Sequence, residues 1–203
     1  MDEHFRQAIH HRRNFCRSCL NELCVDQACF NQWMIVLMAG LPGTGKTTLA
    51  RALAIRTAGR VVGKDEIRHA IFAPEEIEYS PRQDDFCVQL MLQTAGYLLE
   101  RDPQRIIFLD GRPFSRRYQI ENVLRAAEAL HQRWLILECI CSEDIARQRL
   151  QDISAGIHPA ANRSFQLYLD VKARFESITR SKTTIDTGQP LERSVEQAFA
   201  TIS

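Results

Sequence analysis

The sequence predicts an α/β fold, a mainly parallel sheet with helices on both faces. Three observations carry that prediction. From residue 33 onward, short apolar runs alternate with longer amphipathic stretches, the pattern of successive βαβ units. The apolar runs read as near-continuous hydrophobic text, which suits strands buried on both sides. The first of them, Met34 to Ala39 (MIVLMA), passes through a glycine-rich turn directly into a helical stretch.

That helix is expected from Lys46 to about Thr57. Arg60 to Gly63 is a short second strand and Asp65 to Phe72 a short helix, followed by a loop over Pro74 to Pro81. Arg82 to Arg101 places Phe86, Leu90, Ala95 and Leu98 to Leu99 at helical spacing, as a long packed helix does. Arg105 to Asp110 (RIIFLD) is a third strand, Ser115 to Gln132 a helix, and Arg133 to Cys141 (RWLILECIC) a fourth strand. Ser142 and Asp144 supply capping chemistry for the next helix. Ile153 to Ala161 contains Gly and Pro and reads as irregular. Ser164 to Thr179 is helical, Thr183 to Asp186 a fifth strand, and Leu191 to Ile202 a closing helix.

Composition narrows the class. The 203 residues are 45% hydrophobic and 25% charged, which excludes disordered, collagen-like and coiled-coil chains. Lys and Arg number 26 against 25 Asp and Glu, so the net charge is +1 and no global positive field attracts nucleic acid. The longest apolar run, about Trp33 to Leu41, is too short for a membrane span. Met1 to Arg13 is polar and carries both signs of charge, unlike a secretory signal. A cytoplasmic protein is expected.

The turn after the first strand reads Gly40-Leu41-Pro42-Gly43-Thr44-Gly45-Lys46-Thr47, with Thr48 next. This is the G-x-x-x-x-G-K-[ST] phosphate-binding pattern between a strand and a helix, where it has mechanical meaning. Glycines let backbone N–H groups curl around an anion, and the helix start adds the positive end of its dipole. Lys46 would reach the β- and γ-phosphates of ATP, and the Thr47 hydroxyl would ligate Mg²⁺. The four fixed positions coincide by chance in well under about 1% of chains this long.

The loop alone does not separate a kinase from a GTPase, a motor or an ATP switch. There is no N-K-x-D sequence for guanine recognition. Gly63-Lys64-Asp65-Glu66-Ile67-Arg68 places Asp65 at the carboxyl end of a strand with Arg68 one helical turn later. In a doubly wound sheet that edge borders the ligand crevice. An Asp there can accept the proton of a substrate hydroxyl while an Arg steadies phosphate oxygens. A capping Asp with an incidental Arg fits the same spacing.

MIVLMAGLPGTGKTTLARALA, KDEIRHAIF, IIFLDGRPF with its following arginines, the NRSFQLYLDVKARFE helix and IDTGQPLE together resemble small P-loop kinases. The resemblance is to the polynucleotide 5′-hydroxyl kinase, zeta-toxin and chloramphenicol phosphotransferase type, often labelled AAA-family ATPase. It covers residues 34–203. It implies a P-loop NTPase fold, a five-stranded parallel sheet in order 2-3-1-4-5. It also implies that Asp65 is the general base and that Arg68 contacts the substrate or the transferred phosphate. Asp110, ending the third strand, would lie near the metal or the substrate, although Asp before Gly is also common turn chemistry. Arg112, Arg116 and Arg117 would line the acceptor pocket or form a solvated helix start. The Gly/Pro-containing stretch within residues 150–163 would be the lid. An arginine beside it, Arg147 or alternatively Arg149, would stabilise charge on the transferring phosphoryl group, with Arg147 as the catalytic candidate. Asp186 and Thr187 would help form an adenine pocket or end the strand.

The expected function is Mg-ATP-dependent transfer of the γ-phosphate to a hydroxyl of a small molecule or of a nucleic-acid 5′ end. A nucleotide-sugar or an antibiotic is the next candidate acceptor. The alternative from another class is an ATP-binding or ATP-hydrolysing switch without a small-molecule acceptor. The expected assembly is a monomer or homodimer. Residues 1–33 form a cysteine-rich extension ahead of the kinase domain, with Cys16, Cys19, Cys24 and Cys29 near His10 and His11. Four thiolates could hold Zn²⁺, but a single C-x-x-C lacks paired knuckle spacing. A poorly ordered tail or an upstream start is the other reading. Cys87, Cys139 and Cys141 read as small core residues.

Overall fold

Residues of the first strand alternate between two apolar environments, and the whole architecture follows from that alternation. In a computed structural model, which describes residues 34–153 and 164–202, β1 spans Met34–Ala39 and is buried along its entire length. Ile35 and Leu37 face one hydrophobic cluster; Met34, Val36 and Met38 face another. Four further strands, β2 (Arg60–Gly63), β3 (Ile106–Asp110), β4 (Arg133–Ile140) and β5 (Thr183–Asp186), complete a parallel sheet in order β2-β3-β1-β4-β5. This is the order of a P-loop NTPase, with β1 at the centre and its neighbours registered from Met34 opposite Ile106 and Arg133.

Seven α-helices among the described residues cover the sheet. They are α1 (Lys46–Thr57), α2 (Lys64–Ile71), α3 (Pro81–Arg101), α4 (Arg117–Ala129), α5 (Glu143–Ile153), α6 (Phe165–Ala173) and α7 (Leu191–Ile202). On one face, Met91 and Leu99 of α3 and Val123 and Leu124 of α4 pack on Ile35, Leu37, Ile107 and Leu109. On the other, Leu49 and Leu53 of α1 and Val195 and Ala198 of α7 pack on Val36, Phe108, Leu137 and Ile185. All of these elements lie within one compact unit, Gln32–Ser203. Among the described residues no helix is long and apolar enough to cross a membrane.

Three stretches differ from the sequence expectation. The loop over residues 74–81 contains a short 3₁₀ turn, Pro74–Glu76, and Pro81 is already the first residue of α3. Ser80 caps that helix, its Oγ accepting from the Gln83 amide at 3.2 Å, and Pro at the first helical position loses nothing because its missing N–H had no partner there. The helix expected over Ser115 to Gln132 is shorter, because His131 turns left-handed at φ 54° and the Gln132 amide closes back on the Ala127 carbonyl. The helix expected to reach Thr179 stops at Ala173. Beyond it the Glu176 amide donates to the Ser115 carbonyl at 2.9 Å, and Ile178 is buried against the core. These long-range contacts override the local helical pattern.

Because β1 and every element after it share two continuous cores, a chain beginning at Met34 is expected to fold. Circular dichroism and a cooperative thermal transition matching the full chain would show it; a molten or aggregating product would show that residues 1–33 are structural. The zinc reading of the cysteines there lies outside the described residues.

Candidate active site

The carboxyl end of β1 opens into a loop that is short of internal hydrogen bonds. Gly40 adopts φ +130°, and a Cβ there would collide with the Cys139 carbonyl oxygen. Gly45 caps α1 in the left-handed region at φ 73°. The amides of Gly43, Gly45 and Thr47 donate to no acceptor among the described residues. Unpaired amides at a helix start make an anion cradle, since each is a donor in need of a partner beside the helix dipole. The Leu41 carbonyl gathers the loop instead, accepting from Thr44 Oγ1 at 2.8 Å and Lys46 Nζ at 2.7 Å.

Two other segments brace the cradle. The Gly40 amide donates to the Pro113 carbonyl at 3.1 Å, tying the loop to the segment after β3. On the far side, the Thr187 hydroxyl lies 2.8 Å from the Thr44 carbonyl and 3.0 Å from the Ile140 carbonyl. Arg149 reaches the same place from α5, donating to the Thr187 carbonyl at 2.6 Å, with Gly43 O at 3.5 Å. Beneath the loop, burial pushes the Cys139 thiol up to about 12, outweighing the downward pull of Lys46, so Cys139 is a core residue and not a thiolate nucleophile.

Thr47 and Asp110 meet across 63 residues of sequence, the hydroxyl donating to Asp110 Oδ2 at 2.6 Å. Asp110 is buried, and its Oδ1 has no hydrogen-bond partner among the described residues. A buried carboxylate oxygen without a donor, beside a hydroxyl, is a donor set suited to a hard cation such as Mg²⁺. Among the described residues no group of three or more His, Cys, Asp or Glu is placed to hold a metal unaided. Any ion here would take its remaining ligands from phosphate and water.

The neighbouring pocket has a cavity volume of about 130 Å³. Lys46, Lys64, Asp65, Asp84 and Arg112 enter its lining together. Asp65 Oδ1 accepts from Arg68 at 2.7 Å and lies 3.5 Å from Lys64 Nζ, while its Oδ2 takes no hydrogen bond among the described residues. Arg68 is fully buried; it also pairs with Asp84 and lies against the Tyr79 ring at 4.9 Å. Lys64 closes the network on Asp84 at 2.6 Å.

Arg68, expected to contact the substrate or the transferred phosphate, is fully buried and absent from the pocket lining; its Nη1 holds Asp65, and its Nε has no hydrogen-bond partner among the described residues. Removing it would leave Lys64 alone between two carboxylates. Arg68→Ala is expected to cost about 3 kcal/mol of stability, a fall of roughly 6–12 °C in Tm. A melting scan with an unchanged Tm would show the network to be dispensable.

The arginines expected at the site separate. Arg112 is buried at the pocket, held by Asp85 at 2.5 Å. Arg116 points elsewhere, to Glu176 at 3.0 Å, and Arg117 meets the same carboxylate through its backbone amide at 2.7 Å. Those two donors hold the Glu176 carboxyl below its ordinary range. On α5 the two candidate arginines face different ways. Arg147 is exposed, stacked 3.7 Å over Phe165 and paired with Glu143, whereas Arg149 faces the phosphate loop. The lid expected within residues 150–163 falls largely outside the described residues.

With this geometry in place, known proteins give its context. The AAA domain family matches residues 35–175, most of the chain and all of the phosphate loop, Asp65 and Asp110. The chain belongs to the AAA domain family. Among solved structures, a gluconokinase from Sinorhizobium meliloti is 18% identical with a TM-score of 0.58, over 85% of this chain and 92% of that one. A sugar kinase from Janibacter is 18% identical with a TM-score of 0.54, over 83% and 93%. The Mycobacterium tuberculosis APS kinase CysC, solved in complex with AMPPNP and APS, is 10% identical with a TM-score of 0.61, over 84% and 96%. At these identities the likeness is one of fold, that of small P-loop kinases. No curated protein matches the chain in sequence.

This AAA domain adds residues that spacing did not single out. Lys64, Tyr79, Asp84 and Arg174 line the pocket beside Asp65, and Asp85 holds Arg112. Lys64 adjoins Asp65 and was the legible one. Tyr79, at φ 51°, sits in a loop whose sequence has no motif.

Proposed function

We propose that this AAA domain is an ATP-dependent kinase that phosphorylates a hydroxyl of a small molecule. The observation that carries the reading is that Lys46 of the phosphate loop and Asp65 line one pocket. A switch that only binds its nucleotide needs no proton acceptor beside the phosphates, so the open carboxylate supports transfer to a hydroxyl. ATP would lie with its phosphates on the free amides of Gly43, Gly45 and Thr47, and Lys46 would turn from the Leu41 carbonyl to the β- and γ-oxygens. Thr47 and Asp110 would hold Mg²⁺, which when bound neutralises charge on the phosphates.

Asp65 would accept the acceptor's hydroxyl proton through its open Oδ2. The acceptor oxygen then forms its bond to the γ-phosphorus as the bond to the β-bridging oxygen breaks, leaving ADP. Arg68 keeps the carboxylate in place, and Arg149 is the arginine positioned to meet charge near the loop. The near-neutral charge and the confined pocket support a small acceptor over a polynucleotide. The structural likeness to gluconokinase, sugar kinase and APS kinase supports the same class. The test is incubation of the full chain with Mg-ATP and a library of hydroxylated metabolites, read by mass spectrometry for the gain of one phosphoryl group. ATP binding with no acceptor phosphorylated across sugars, nucleosides and antibiotics would favour the switch.

A further inference from the structure

The pocket beside Asp65 is uneven in charge. Its described lining carries four cations, Lys46, Lys64, Arg112 and Arg174, against two carboxylates, Asp65 and Asp84. Three of the cations are already engaged. Lys64 is paired with Asp84 at 2.6 Å, Arg112 with Asp85 at 2.5 Å, and Lys46 belongs to the phosphate loop. The Arg174 side chain makes no hydrogen bond or ion pair with any described residue, and it is exposed at the pocket's edge.

Its position is set by the fold. Leu167, Val171 and Arg174 follow one another at i, i+4 and i+7, so they form one stripe along α6 and its end. All three line the pocket. The orientation of that stripe is fixed from its flank, where Tyr168 packs with Ala146 and Leu150 of α5. The stripe therefore presents two apolar side chains and then a guanidinium. Pro113 and the Tyr79 ring extend the apolar lining. An acceptor seated there meets apolar surface along its skeleton, a proton acceptor at Asp65, and a planar array of N–H donors at Arg174. Such an array matches the paired oxygens of a carboxylate or phosphate.

We propose that the acceptor is a small hydroxylated anion whose carboxylate or phosphate is held by Arg174 while its hydroxyl meets Asp65. This rests on the kinase reading above. It goes further by assigning the acceptor's charge and the residue that selects it. Arg174 is a specificity residue, and its loss weakens acceptor binding more than it slows the chemical step.

The test uses the full chain with Mg-ATP and matched acceptor triads: neutral polyols, the corresponding sugar acids, and the corresponding monophosphates. Transfer is expected to favour an anionic member over its neutral partner by at least about tenfold in kcat/KM. The sugar-acid and monophosphate arms tell which anion is used. Arg174→Ala is expected to raise KM for that anion by about ten- to a hundred-fold, with a smaller change in kcat, while KM for neutral polyols stays nearly constant. Arg174→Lys should recover part of the loss, and ATP affinity measured by calorimetry should not change. Preference for neutral polyols, or an equal effect of Arg174→Ala on neutral and anionic acceptors, would overturn the proposal. So would failure of every triad while ATP still binds. Absence of ATP binding by the wild-type chain would overturn the kinase reading along with it.

Discussion

Lys46→Ala is expected to abolish phosphoryl transfer while leaving the fold intact. The lysine is buried, yet among the bonds described its Nζ donates to the Leu41 carbonyl at 2.7 Å, which also accepts from the Thr44 hydroxyl at 2.8 Å. Truncation thus leaves that carbonyl with a donor, and no unpaired acceptor is created in the loop. What is lost is the one side-chain ammonium within the G-x-x-x-x-G-K-T loop. Removing a single preorganised donor at a developing charge typically costs about 10²–10³ in rate. A full positive charge facing two phosphates places this variant at or beyond the upper end, about 4 kcal/mol. The measurement pairs ATP affinity by calorimetry with turnover, and a melting scan establishes that the fold persists. A folded variant that binds and turns over ATP like the wild type would detach the phosphate loop from the activity.

Asp65→Asn is expected to separate two properties that Lys46→Ala removes together. Asparagine keeps the shape of the side chain, and its carbonyl can still accept from Arg68, which now holds it at 2.7 Å. Asp84 remains to balance Arg68 and Lys64, so the network survives the loss of one charge. The proton acceptor does not survive. Loss of a general base costs about 10²–10⁴-fold in kcat, and ATP affinity should stay at the wild-type value because Asp65 touches none of the loop. Wild-type transfer by Asp65→Asn would reduce Asp65 to a brace for Arg68.

That Lys46 and Asp65 border one crevice could be read from the sequence, and the reason is local. Lys46 is named by its position in a contiguous eight-residue pattern, and Asp65 by standing just after a strand. The sheet was legible for the same reason, since β1 is unbroken apolar text, β3 is apolar up to its final Asp110, and β5 ends in Asp186 as expected. The acceptor side was read less well because it is assembled across sequence distance. Asp84 sits in the first turn of a long amphipathic helix, where an acidic residue needs no explanation beyond the helix dipole, and Asp85 directly follows it. Their pairing with Arg68 and Arg112 spans 16 and 27 residues and has no signature in either segment. Arg147 and Arg149 illustrate the same limit at short range. Two residues apart on a helix, they face different ways, and only the packing of α5 on the loop decides which one turns inward. Arg68 carries a different lesson: a D-x-x-R spacing puts both groups on one face, but the depth of that face is a tertiary property.

The strand order β2-β3-β1-β4-β5 divides the labour of the proposed reaction between two flanks of one sheet. Segments leaving β1, β4 and β5 bring Lys46, Arg149 and Thr187 to the phosphate loop, where the nucleotide would lie. Segments leaving β2 and β3 bring Lys64, Asp65, Arg112 and, through α3, Asp84 to the pocket where the acceptor would sit. Beyond the β1–β3 pairing itself, the loops of the two flanks are tied by Thr47 on Asp110 and by the Gly40 amide on Pro113. A descendant of this chain could therefore trade one acceptor for another by altering side chains on α2, α3 and α6, with the nucleotide-handling flank inherited unchanged.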